Sequence, residues 1–167
     1  TMLAQIAAAG GGALPQYIED VFSTYLYTGT GASQTINNGI DLAGEGGLVW
    51  VKLRSSTASH YLVDTVRGPS NVLSSNSTAA NSNIPTVIPT FNSNGFNTGG
   101  GIDISTQTYA SWTFRKQPKF FDVVTYTGTG AAQTISHSLN ATVGTLIIKK
   151  TSATGNWVTF ARVSGAA

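Results

Sequence analysis

FSTYLYTGTGASQTI, residues 22–36, reads in two halves. Phe22, Thr24 and Leu26 alternate with Ser23, Tyr25 and Tyr27, the period-two pattern of a strand. The glycines of TGTG (28–31) then signal a turn, and 33–36 restarts a strand. Gly29 and Gly31 can supply the positive φ that a tight turn needs, so a hairpin is expected here. The same text returns as FDVVTYTGTGAAQTI at 121–135, and from Tyr126 to Ile135 it differs from Tyr27 to Ile36 only by Ala132 for Ser33.

Further pairs follow. VWVK (49–52) matches LIIK (146–149), and HYLVDTVRG (60–68) aligns with WVTFARVSG (157–165), both 97 residues later; the YTGTG motifs are 99 apart. The chain is therefore a tandem array of one unit of 97–99 residues, with two residues lost from a loop of the second copy. The boundaries expected are an arm at 1–21, a complete unit at 22–118 and a partial unit at 119–167. Half of the second unit's strands are still to come at its end, so the expectation is the front part of a longer polypeptide. The alternative is a short protein whose last strands pack on the first unit.

Within the first unit, LVWVKL (48–53), 60–66, 72–73 and 109–114 read as short strands. Residues 86–91 and 95–98 form a hairpin around NSNG (92–95), and PQYIEDV (15–21) holds one or two helical turns. Eight or so short strands with regular turns predict an all-β fold: a β-sandwich of jelly-roll or laminin-G/concanavalin-like type, with an extended N-terminal arm. Trp50 and Trp112 are assigned to its core. The stretch 74–83 (SSNSTAANSN) is polar and low in complexity.

Composition narrows the function. Charged residues make up 10% of the chain, against about 25% in ordinary soluble domains. A net charge of +2 with no basic stripe argues against a nucleic-acid partner. No apolar run approaches a membrane span, so no membrane partner is expected. The absence of cysteine excludes disulfides and thiolate-bound metals.

No residue set suggests catalysis. Gly29 and Gly31 lack the Lys-Ser/Thr of a phosphate loop. Ser59, His60 and Asp64 sit along one strand, with 60 and 64 about 13 Å apart at ~3.3 Å per residue. Asp41, Glu45 and Asp103 lie in Gly-rich loops and read as solvated acids rather than calcium ligands. Asp64 and Arg67 read as a local ion pair of small value. Arg115, Lys116 and Lys119, among Phe114, Phe120 and Phe121, form a basic–aromatic cluster read as the joint between units. No enzyme, cofactor or metal is expected.

Several motifs keep their order: VFSTYLYTGTGASQTINNGIDLAGEGGLVWVK (21–52), DTVRG (64–68), LSSNSTAA (73–80), FNSNGF (91–96), YASWTFRKQPKFFDVVTYTGTG (109–130) and LIIKK (146–150). Together they resemble the repeated domains of uncharacterised virion proteins of marine tailed phages, often labelled tail-fibre or structural proteins. The resemblance implies a virion structural protein, the N-terminal part of a tail fibre or appendage assembled in the host cytoplasm. Its partners would be other tail or capsid proteins and further copies of itself, as a trimer, with distal parts meeting a host glycan. The arm's apolar residues Met2, Leu3, Ile6, Leu14, Tyr17 and Ile18 are the candidate anchor. Alternatives are a capsid decoration or head-fibre protein, and a carbohydrate-binding module using Tyr25, Tyr61 and Trp157.

Overall fold

The computed structural model describes residues 16–162. Its eleven strands, in chain order, are β1 (Phe22–Thr28), β2 (Thr35–Asn37), β3 (Gly47–Leu53), β4 (His60–Asp64), β5 (Asn71–Ser74), β6 (Ser82–Asn83), β7 (Thr90–Asn92), β8 (Gly95–Asn97), β9 (Thr108–Arg115), β10 (Thr145–Lys149) and β11 (Trp157–Ala161). Single 3-10 turns at Ile18–Asp20 and Gly100–Ile102 are the helical elements among the described residues. The fold is all-β. One sheet has six strands in the order β1-β9-β3-β4-β5-β6, a second has three in the order β2-β8-β7, and β10-β11 stand as a pair.

The two larger sheets face each other as a sandwich. Val49, Val51, Val63 and Tyr109 from the six-stranded sheet meet Ile36 and Phe96 from the three-stranded one, with Ile88 between them, in one buried cluster. Each such aliphatic side chain contributes about 1.5–3 kcal/mol by leaving water. Neighbouring strands are held in antiparallel register, and one row on the inner face runs Tyr25–Ser111–Val51–Tyr61–Ser74.

The two tryptophans depart from expectation. Val49 and Val51 take the inner face of β3, so Trp50 falls on the outer face, where it pairs with Trp112 at a ring-centroid distance of 5.7 Å. Both faces of LVWVKL are apolar, so alternation fixed the period but left the phase open. The TGTG turn is no hairpin either: β1 lies in the six-stranded sheet and β2 in the other, so 29–34 is a crossover between sheets. The hairpin around 92–95 forms as β7 and β8.

The pair β10–β11 repeats β3–β4 residue for residue. Lys149 faces Trp157 as Lys52 faces His60, and Thr145 faces Ala161 as Leu48 faces Asp64. In contrast, 122–127 forms no strand, although 22–28 does. The reason lies in the strand order. β1 never touches β3; β9 runs between them and hydrogen-bonds to both. Among the described residues no strand corresponding to β9 serves the second copy, and a lone strand, its backbone groups already bonded to water, gains no ladder or packing to offset its ordering entropy.

The second copy is nonetheless attached to the first. Lys116 bridges to Asp122 at 3.0 Å and Phe114 packs on Phe121 with centroids 5.2 Å apart. The loop between β5 and β6, residues 75–81, receives the other end: Trp157 Nε1 donates to Ser77 O at 2.9 Å, Gly155 N to Thr78 O at 2.9 Å, and Asn81 N to Thr151 O at 2.9 Å.

Candidate functional site

The repeated motif is organised by one buried side chain, Asp103, which is 0% exposed. Its Oδ1 accepts from Thr30 N–H and from Gln34 Nε2 (2.9 Å), and its Oδ2 accepts from Thr98 Oγ1. The expectation of a solvated acid is therefore wrong for Asp103. Its carboxyl is buried because the motif brings donors to meet it. Sequence could not reveal this, since the donors lie 69 and 73 residues away along the chain or five residues back at Thr98.

Backbone contacts tighten the same joint. Gly29 N donates to Gln107 O (2.8 Å), Thr106 N to Gly29 O (3.0 Å) and Gly31 N to Asp103 O (2.7 Å). A Cβ on Gly29 would meet Ile104 O at 2.1 Å, and Gly31 holds φ +84°. Each glycine thus has a separate steric reason. Tyr27, just ahead, stacks on Tyr109 at 5.0 Å and donates to Ile102 O at 3.2 Å. Burial, then the neighbouring Tyr109 and Asp103, push its hydroxyl pKa far above the ordinary value.

The loop so held, 101–107, walls a cleft of about 440 Å³ against the inner face of the larger sheet. Tyr61, Tyr109, Leu53 and Ile102 supply its apolar surface, Ser59 and Gln107 hydroxyl and amide groups, and every lining residue is uncharged. Such a site suits a neutral ligand with both C–H faces and hydroxyls.

Tyr25, Tyr61 and Trp157 do not form one platform. Tyr61 lines the cleft. Tyr25 is 37% exposed at the far end of the same row, about 14 Å off at ~4.8 Å per strand. Trp157 belongs to the β10–β11 pair, and its indole N–H is engaged by Ser77. Tyr17 and Ile18 are exposed at the 3-10 turn. Met2, Leu3, Ile6 and Leu14 lie outside the described residues.

The other candidates resolve plainly. Asp64 is bound by Arg67 Nε at 2.6 Å, with side chains 4% and 11% exposed, so this local pair is buried. Arg67 also donates to Asn81 Oδ1 (2.7 Å) and Leu62 O (3.2 Å), which satisfies the buried guanidinium. His60 sits against Trp50, with ring centroids 6.3 Å apart. Asp41 accepts from Gly44 N at 2.7 Å as a turn residue. No cluster of three or more His, Cys, Asp or Glu is present among the described residues.

What this defines is a β-sandwich repeat with an uncharged cleft. The chain belongs to the family described as domain of unknown function DUF7483, which matches residues 18–165 and so spans both copies of the motif. No curated protein and no solved structure matches it.

Proposed function

We propose that this chain is a non-catalytic structural module of a bacteriophage virion, from the part of a tail fibre or appendage near its attachment to the particle. The observation that carries the reading is the shared register of β3–β4 and β10–β11. The strand pair recurs at a fixed offset, and repetition of one unit is how a rigid extended array is built. The order of motifs from 21 to 150 resembles phage virion proteins and supplies the context. In this reading the arm attaches to tail or capsid subunits, and Tyr17 and Ile18, 59% and 60% exposed, continue its apolar surface. Copies assemble as trimers, and distal parts meet the host.

Electron microscopy of purified particles, labelled with an antibody against residues 22–118, tests this. Label on the tail is expected, and label on the capsid assigns a decoration role instead. Protein found only in infected-cell lysate and never on particles overturns the reading.

The cleft favours glycan binding as a second reading, with Tyr61 as the stacking surface beside Ser59 and Gln107. A glycan array probed with the full chain and with Tyr61→Ala tests it: the reading requires binding that the substitution removes.

A further inference from the structure

The cleft contains one polar group whose direction is fixed, the Gln107 amide. Ser55 Oγ lies 2.6 Å from Gln107 Oε1, an O–H···O distance, and itself accepts from Thr108 N at 3.0 Å. The hydroxyl proton is therefore committed to Oε1, which leaves the Gln107 NH2 as the free end. The backbone of Gln107 is pinned as well. Its carbonyl accepts from Gly29 N at 2.8 Å and its N–H donates to Ile104 O at 3.1 Å. The YTGTG turn thus sets this residue from one side, and Ser55, in the link between β3 and β4, from the other. Gln107 lines the cleft, and among the described residues its Nε2 protons meet no acceptor.

The surroundings of that amide are apolar. Ile102 and Ile104 share its loop, Leu53 and Tyr61 add to the apolar lining, and Ile104 is 51% exposed. The second strand pair has no equivalent wall. β10–β11 keeps the register of β3–β4, yet at the offset of 97 Leu53 and Tyr61 are replaced by Lys150 and Val158. The pair forms there with a cation and without the ring, so the chain carries this surface once.

We propose that the cleft is a subsite for an N-acetylated neutral hexosamine, with Gln107 Nε2 donating to the acetamido carbonyl. The inference rests on the glycan reading of the cleft. A carbonyl accepts without bringing a proton of its own, which suits a donor set among aliphatic side chains. A hydroxyl in its place would carry a proton toward Ile102, Ile104 and Leu53, whose side chains offer no acceptor. The acetyl methyl lies against those side chains, and a C–H face of the sugar ring lies on Tyr61. A free amino group or a carboxylate is disfavoured, because every lining residue is uncharged and an ion would lose water without a counter-charge. Ser55 is a positioning residue that acts through Gln107.

Amide NMR of the full chain, titrated with N-acetylglucosamine, N-acetylgalactosamine, glucose and glucosamine, tests this. Saturable shifts at 53–61 and 101–109, with one site per chain, are expected from at least one acetylated sugar. Glucose and glucosamine should bind about tenfold more weakly, for loss of a placed hydrogen bond and a buried methyl. Gln107→Glu keeps an oxygen for Ser55 but replaces the donor by an acceptor, and should lower the acetylated sugar to the level of glucose. Ser55→Ala should narrow the same ratio and leave glucose binding unchanged, which loss of fold would not do. Equal binding of glucose and the acetylated sugars, or a preference that survives Gln107→Glu, overturns the acetamido assignment and leaves the glycan reading standing. Shifts confined to other surfaces, or no response to any of the four sugars, overturn both.

Discussion

Gln34 Nε2 donates to Asp103 Oδ1 at 2.9 Å, across 69 residues of chain, while the same nitrogen bonds Thr28 O at 3.0 Å. One amide thus closes its own loop and grips the opposite one. Its counterpart Gln133 makes only the local bond among the described residues. The pair separates what the motif does by itself from what it does with a partner.

Removing the carboxyl takes the acceptor from the part-buried Thr30 N–H and weakens the hold on the Gln34 amide and the Thr98 hydroxyl, which keep only Thr28 O and Gln34 O. Each unsatisfied group costs about 1–3 kcal/mol. Asp103→Ala is expected to destabilise the first unit by about 3 kcal/mol or more, and Gln34→Ala by less, in urea unfolding followed by tryptophan fluorescence. Gln133→Ala in the same assay should leave the midpoint unchanged.

The glycines give a matched contrast. In Gly29→Ala the new methyl meets a backbone carbonyl, which cannot rotate away as a side chain would. A loss of about 3 kcal/mol or more is expected, within the range of backbone-incompatible substitutions. Gly128→Ala has open space around it and should fall within about 0.5 kcal/mol of the parent. Equal effects of the two would mean that the glycines serve the loop alone.

Much of the sandwich could be read from alternation and turns. β4 and β8 lie within residues whose pattern reads as strand, and β1, β3 and β9 exceed theirs by one residue at one or both ends. The tandem repeat was legible down to its register, since a fixed offset of 97 aligns both partners of the β10–β11 pair. Three features were not legible, each for a physical reason. The phase of β3 is hidden because Leu48 and Trp50 are as apolar as Val49 and Val51. The crossover at 29–34 is hidden because a positive φ marks a turn of any kind. The Asp103 cage is hidden because its donors are distant in sequence. The failure of 122–127 to form a strand is the sharpest case. An alternating stretch specifies which face is apolar, and its neighbour specifies whether a ladder exists.

Placement of the tryptophans reverses an expected ranking of substitutions. Trp50 is half-buried on the outer face, and its main aromatic contacts are Trp112 and His60. An aromatic pair adds about 0.5–1.5 kcal/mol beyond burial, so Trp50→Ala should cost about 1–2 kcal/mol. Phe96 is 0% exposed between the sheets, and Phe96→Ala should cost about 3–5 kcal/mol. Chemical denaturation of the two variants side by side decides the order; a larger loss for Trp50→Ala would place the indole in the core after all.

Acid should loosen the joint between the two copies before it unfolds the sandwich. Burial alone would raise the Asp122 pKa, but the Ser138 N–H, Lys116 and the Val123 N–H together outweigh it and hold it below the ordinary 3.8. A carboxyl with a depressed folded pKa contributes its stabilisation above the unfolded value and loses it as pH falls through the folded one. The Lys116–Asp122 bridge and the Ser138 contact should therefore persist at neutral pH and weaken below about pH 4. Amide exchange at Val123 and Ser138 should quicken between pH 5 and pH 3, corrected for the intrinsic rate, while amides of β3 and β9 keep their protection. In Asp122→Asn, that protection should already be reduced at pH 6 and show no further change on acidification. A variant that still responded to acid would assign the loosening to another group.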